Sequence, residues 1–335
     1  MKMNKLTLAL LAGAVTFISC NDDDLNDGNN NRAELYATSN TNGAVTVYDF
    51  ANASSATTTT LNVTASTDNE GIVYDNRTDQ LIFASRTLGS VVIATNIADQ
   101  INGTVSTLTT NVGPSNLSSP RSIAINGDFI VVADNASNQL FIYQRSGTTL
   151  TLRNTVSVII ALWQIQFSGN DLYAVVDQTN NLAVFQNFLN NSTNAAVAPS
   201  KQIAIEGITR THGLVYNSED DIMILTDIGA ATGAGADTDG GFHIISNFTS
   251  KFNAVANGGT LALANNQVRV AGTATFLGNP VAAAYDAQTN TIFIAERANA
   301  GGRVLGFDSS ASGNVAPRIN NQLAGASTVF FYANN

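Results

Sequence analysis

From residue 34 onward the chain alternates between short apolar runs and clusters of Asn, Asp and Gly. One run recurs with little change. Its copies are Glu70-Gly71-Ile72-Val73-Tyr74, Arg121-Ser122-Ile123-Ala124-Ile125, Trp163-Gln164-Ile165-Gln166-Phe167, His212-Gly213-Leu214-Val215-Tyr216, Val281-Ala282-Ala283-Ala284-Tyr285 and Thr328-Val329-Phe330-Phe331-Tyr332. Runs this short, rich in β-branched and aromatic residues and bounded by turn formers, read as strands. A second strand follows five of them: 81–84, 130–133, 173–176, 223–226 and 292–295. Third strands are expected at 140–143, 182–185 and 304–307, and outer strands at 201–205 and 268–271. Nowhere after the leader does a helical period of 3.6 persist over any length.

A fixed period of this size marks a radial or solenoid repeat, and four strands per unit repeated radially make a β-propeller. Tyr74, Ile125, Phe167, Tyr216, Tyr285 and Tyr332 are separated by 51, 42, 49, 69 and 47 residues. The longest gap is shorter than two copies of the smallest, so it reads as one blade with insertions. The expected fold is therefore all-β, a six-bladed propeller of four-stranded antiparallel blades; seven blades is the alternative. The first blade draws on both ends of the chain, with middle strands at 34–38 and 45–48 and its innermost strand at 328–332. Closing the ring this way removes free sheet edges and ties down both termini. Gly71, Ser122, Gly213 and Ala282 suit the crowding near the axis.

The leader changes the picture. Lys2 and Lys5 precede an apolar stretch from Leu6 to Ile18, too short to span a bilayer, and Ser19 is a small residue before cleavage. The only cysteine, Cys20, comes next. Residues 1–19 read as a signal peptide, 20–33 as a flexible tether too poor in apolar residues to fold, and 34–335 as one propeller domain. Loss of the leader, which carries those two lysines and no acid, takes the net charge from −10 to about −12. No basic stripe is present, so nucleic acid is not an expected partner. One cysteine permits no disulfide. Two histidines and a single thiol leave a zinc site or a cysteine nucleophile without ligands, and no cofactor or metal is expected.

Propeller topology predicts where chemistry would gather. Inner strands begin on one face, here the upper face, and second strands end there. Glu70, Arg121, Trp163 and His212 begin inner strands and form an axial ring, the expected ligand-binding residues; Val281 and Thr328 complete it. Asp134, Asp177, Asp227 and Glu296 end second strands and form a possible rim. Such acids commonly cap the following turn, and Glu70 could pair with Arg121 across neighbouring blades. Trp163 either plugs the channel or offers a stacking surface. A loop insertion, Gly229 to Gly241, lies on the same side. No catalytic residue is identified.

Phe17-Ile18-Ser19-Cys20 resembles a bacterial lipoprotein box, although Phe17 stands where Leu is usual. The resemblance implies diacylation of Cys20. The acidic run Asn21-Asp22-Asp23-Asp24 resembles the signal that sends Bacteroidota lipoproteins to the outside of the outer membrane. The repeated region resembles bacterial NHL- and YVTN-type propellers, with Ala196-Val197-Ala198-Pro199 and Asn314-Val315-Ala316-Pro317 as blade lead-ins. Glu70-Gly71-Ile72-Val73-Tyr74-Asp75 and His212-Gly213-Leu214 resemble segments of six-bladed gluconolactonase-like enzymes. That resemblance implies a divalent metal on a Glu, two Asn and an Asp. Here those positions fall on Glu70, Trp163, His212 and Val281, so the metal site is absent or rebuilt. The expectation is a surface lipoprotein that binds a glycan, a peptide or an outer-membrane protein complex, with membrane lipid engaged through Cys20. The alternative is a lactonase-like hydrolase with a rebuilt axial site.

Overall fold

A computed structural model describes residues 31–51, 56–232 and 236–334. The leader, Cys20 and most of the tether lie outside the described residues. Six small sheets form, each built around four strands in the order inner, second, third, outer. The arrangement is a six-bladed β-propeller. Blade 1 is the composite one: Ala326–Ala333 is its inner strand, pairing antiparallel with Ala33–Ser39. The other inner strands are Asn69–Asp75, Pro120–Asn126, Leu162–Ser168, Leu214–Asn217 and Pro280–Asp286, in blades 2 to 6.

Burial explains why the ring closes. The apolar residues sort into six clusters, and each cluster joins two neighbouring blades. Tyr36, Val45 and Leu61 of blade 1 meet Ile72, Leu81 and Phe83 of blade 2. Val281, Phe293 and Val304 of blade 6 meet Leu35, Ala37 and Val329 of blade 1. A blade alone would expose both apolar faces; neighbours on both sides bury them, so stability belongs to the closed ring.

Close approach at the axis accounts for the small residues. A Cβ on Gly71, which holds φ +68°, would sit 2.8 Å from the Ile123 backbone, and one on Gly213 would sit 2.8 Å from the Ala282 Cα. Polar stitches join the inner strands. Gly71 N–H donates to Thr328 Oγ1 at 2.8 Å, Ile165 N–H to Ser122 Oγ at 3.2 Å, and Gln166 makes a two-way amide bridge to the Tyr216 backbone.

Three short strands were not foreseen. Val105–Thr107, Ala195–Ala196 and Thr260–Leu261 each add in parallel to the outer strand of the preceding blade. They are two or three residues long, below what a sequence pattern can reveal, and they cover edges otherwise open to pairing. The long fifth blade spends its extra residues twice. One part lies between its second and third strands, Ile222–Asp227 and Gly241–Ser246; the other forms the helix Phe248–Ala254 and its connection to the outer strand Val268–Ala271. The helix buries Phe248 and Phe252 against Tyr173 of blade 4. Loop glycines Gly233 and Gly235 lie outside the described residues.

The seam of blade 1 is tied at its lower end. Ala33 pairs with Ala333, and Arg32 lies over the rings of Tyr74 and Tyr332 while its guanidinium grips Glu34 at 2.6 Å through two nitrogens. Because inner strands descend from the upper face, Ala33 begins the first described strand on the lower face.

Candidate functional site

Four of the six ring positions touch in sequence. Arg121 Nη1 lies 3.2 Å from Glu70 Oε2. The Arg121 guanidinium lies over the Trp163 indole at 4.3 Å from the ring centroid. On its other face the indole stacks on the His212 imidazole, with centroids 3.6 Å apart and planes 6° from parallel. His212 Nε2 is 3.0 Å from Asp177 Oδ1, which also accepts from Arg210 at 2.7 Å. Arg86 approaches Glu70 at 3.6 Å and Asp68 at 3.2 Å. One continuous series of contacts therefore runs Arg86, Glu70, Arg121, Trp163, His212, Asp177, Arg210 across four blades. Val281 and Thr328 close the ring as buried, non-ionic positions.

The indole has an aromatic or cationic group on each face and is 7% exposed, so it is an interior element of the stack and no open platform for a sugar. Planar guanidinium and imidazole groups favour this sandwich through cation–π and stacking attraction. Within this series the arginines reach water: their side chains are 26%, 15% and 30% exposed at Arg86, Arg121 and Arg210.

Burial and charge set the ionisation states. Burial pushes the Glu70 carboxyl above the usual range, against the pull of Arg121, Arg86 and Arg297. Burial also acts to raise Asp177, but hydrogen bonds and charge from His212 and Arg210 prevail and hold it at about 2. Burial lowers His212 to about 4, more than Asp177 can raise it. At neutral pH Asp177 is ionised and His212 neutral, so His212 Nε2–H donates and Nδ1 is a bare acceptor. That Nδ1 is buried without a hydrogen-bond partner, and so is the donor Nε of Arg86.

The rim acids divide. Asp134 accepts from Ser118 and Ser119 N–H at 2.6 and 2.9 Å and caps its turn through Ala136 N–H. Asp227 accepts from the N–H groups of Thr209, Arg210 and Gly229, and pairs with Arg269 at 3.2 Å. Glu296 accepts from Gly278, Asn279, Ala298 and Asn299 N–H, all at 2.8–2.9 Å. These three fasten the lead-in of their own blade. Asp177 takes one N–H, from Gln178, and turns its remaining capacity to the axis. Arg86 and Arg210 were missed by sequence reasoning because they sit on connecting loops outside the repeat.

The axial cavity lies below this stack. About 320 Å³ is enclosed by all six inner strands, including Ile72, Ile123, Ile165, Leu214, Ala283 and Val329. Glu70, Arg121, Trp163 and His212 take no part in its wall. Its lower rim is half-buried Ile125, Phe167, Asn217, Tyr285 and Phe331, so the cavity opens on the face opposite the polar ring.

A metal of the gluconolactonase kind does not fit the four equivalent positions. They supply one carboxylate, an indole, an imidazole and an isopropyl group, whereas hard cations want several oxygens. The carboxylate is already engaged by a guanidinium.

The chain matches no family model, and no curated protein sequence matches it. Solved structures do match in shape. A chain of a nidogen–laminin complex superposes with TM-score 0.62 at 12% identity, over 89% of this chain and 98% of that one. A protein assigned as a 6-phosphogluconolactonase from Bacteroides fragilis gives 0.52 at 10% identity, over 92% and 100%. Another, from Bacteroides uniformis, gives 0.52 at 12% identity, over 89% and 84%. These likenesses establish the propeller fold, which is shared by proteins of unrelated function.

Proposed function

We propose that this protein is a binding module, anchored to the outer membrane through acylated Cys20 and exposed at the cell surface, whose partner engages the upper face around Arg86, Arg121, Arg210 and His212. The observation that carries the reading is a set of buried unsatisfied polar atoms at this site: His212 Nδ1, Arg86 Nε, Asp68 Oδ1 and Thr211 Oγ1. Leaving a polar atom buried and unpaired costs roughly 1–3 kcal/mol. An acceptor at His212 Nδ1 and a donor at Arg86 Nε suit a hydroxyl-rich or peptide partner. Ile159, 82% exposed in the lead-in to blade 4, offers an apolar contact on the same face. The Phe17-Ile18-Ser19-Cys20 box and the acidic run after it support the address. Two or more acyl chains anchor stably where one is marginal.

The test is a mild-detergent pull-down of the lipidated protein from its native membrane, with metal analysis of the same sample. A stoichiometric partner or glycan, released by Arg121→Ala or His212→Ala, is the expected result. Retention of the partner by all of Glu70→Ala, Arg121→Ala, Trp163→Ala and His212→Ala would overturn it.

The likeness to proteins assigned as 6-phosphogluconolactonases favours one second reading, a lactonase-like hydrolase with a rebuilt site. It requires lactone hydrolysis by the purified protein that Glu70→Gln abolishes. The binding module requires none.

A further inference from the structure

The axial cavity has a chemistry of its own, separate from the upper ring. Among the described residues, its wall holds no charged side chain: it is aliphatic and aromatic, with Ser122, Gln164, Gln166, Asn217, Tyr285 and Thr328 supplying polar atoms. A charged guest would lose its hydration there without gaining a counter-charge, which is strongly unfavourable. An uncharged apolar guest gains from every Å² it removes from water. A dry apolar cavity of about 150 Å³ is large enough for one benzene, so about 320 Å³ accommodates two fused rings.

Most polar atoms of the wall are spoken for. Gln166 uses both amide atoms on Tyr216. Ser122 and Thr328 already accept backbone N–H groups. Gln164 differs: its Oε1 accepts Leu214 N–H at 3.0 Å, while its Nε2 donates to no acceptor among the described residues. The side chain is half-buried, at the upper end of the cavity. Access is from below, where a surface groove shares Val73, Ile125, Phe167 and Phe330 with the cavity wall.

We infer that the axial cavity is a second binding site, opening on the lower face, for a small uncharged molecule with a one- or two-ring apolar body and a hydrogen-bond acceptor that meets Gln164 Nε2. Pockets of this kind, mostly apolar with a few placed polar groups, are the usual form of small-molecule sites. The site is independent of the partner proposed for the upper face.

The experiment is a calorimetric titration of the full chain with 2-naphthol, whose rings fill the cavity and whose oxygen can accept from Gln164. A one-site isotherm, saturating below about 1 mM, is expected for a ligand of this size. Val215→Phe and Ile125→Phe place extra ring atoms in the cavity from blades 5 and 3. Both residues line the cavity and are half-buried, so the added volume is taken from it. Each substitution is expected to weaken binding at least about tenfold, with circular dichroism unchanged. If one variant fails to fold, the other decides. Absence of saturable binding would overturn the inference, leaving a water-filled channel. Binding that both folded variants retain at full strength would overturn it equally.

Discussion

Asp177 and Glu296 stand one residue apart in the repeat and do different work: Glu296 ends the second strand of blade 6, whereas the second strand of blade 4 ends at Val176 and Asp177 follows it. Glu296 is fully buried and surrounded by four backbone N–H groups of its own blade. Asp177 accepts one such N–H and otherwise meets Arg210, His212 and Asn135, which all come from neighbouring blades. Register decides the difference. In blade 6 the segment before the inner strand turns its N–H groups toward the acid. In blade 4 Val176 takes the place of Glu296, and Asp177 stands where blade 6 has Arg297: Asp177 N–H donates to Ala161 O at 2.8 Å as Arg297 N–H donates to Asn279 O at 3.0 Å. An acid freed from fastening its own loop becomes available to the axis. A shift of one residue along the repeat thus changes the role of an acid.

Glu296→Ala is expected to have the largest effect. It orphans a cluster of buried N–H groups, each worth about 1–3 kcal/mol when left unpaired. We expect unfolding free energy to fall by about 4 kcal/mol in urea denaturation, with upper-face binding intact in the folded fraction. Glu296→Gln, which keeps one acceptor oxygen, should recover part of the loss.

Acid should separate the two regions next. His212 titrates near 6.5 when unfolded and at about 4 when folded, so between these values the unfolded chain binds the extra proton. The contribution of His212 is constant above pH 6.5, declines through that window and levels off below 4. Its size is up to about 3 kcal/mol, from about 1.36 kcal/mol per pKa unit. Asp177 adds a separate loss between 3.8 and about 2. Glu70 acts in the opposite sense, since its raised folded value favours the protonated form at low pH. Comparing wild type with His212→Asn across pH 4–6.5 isolates the histidine: the variant should lack its share of the slope.

Asp134→Ala is the milder counterpart of the Glu296 change. It should cost about 2 kcal/mol, since fewer N–H groups lose their acceptor. Asp177→Ala should leave the blade 4 lead-in in place but release Arg210 and reorient His212, read as lost partner binding in the pull-down. Smallest of all is Arg121→Lys, which keeps the charge on Glu70 but loses the flat contact with the indole. A change of about 1 kcal/mol is expected, with a shift in the emission of Trp163, the sole tryptophan.

Much of the fold was legible because its signals are periodic. The inner strands, the blade count and the two-ended first blade follow from spacing alone, and Gly71 and Gly213 mark where backbones touch. The short parallel edge strands left no pattern, and the third strand of blade 5 was hidden by the insertion before it. For the site, topology alone brought Glu70, Arg121, Trp163 and His212 together. It could not say that they would stack on one another, because that depends on side-chain rotamers. Nor could it separate Asp177 from Asp134, which differ by one residue in register: the second strand of blade 3 ends at Asp134, that of blade 4 at Val176. The axial cavity was invisible for another reason. Ile72, Ile123, Ile165 and Leu214 read as ordinary core, and a sequence does not reveal whether six facing strands meet at the centre or stop short of it.

The tie between Ala33 and Ala333 also fixes a direction. The chain emerges from the ring beneath the mouth of the axial cavity, on the side away from the guanidinium groups. Under the anchoring proposed for Cys20, the propeller is therefore held by its underside. The aromatic mouth of the cavity then faces the anchor, and the charged crown faces away from it.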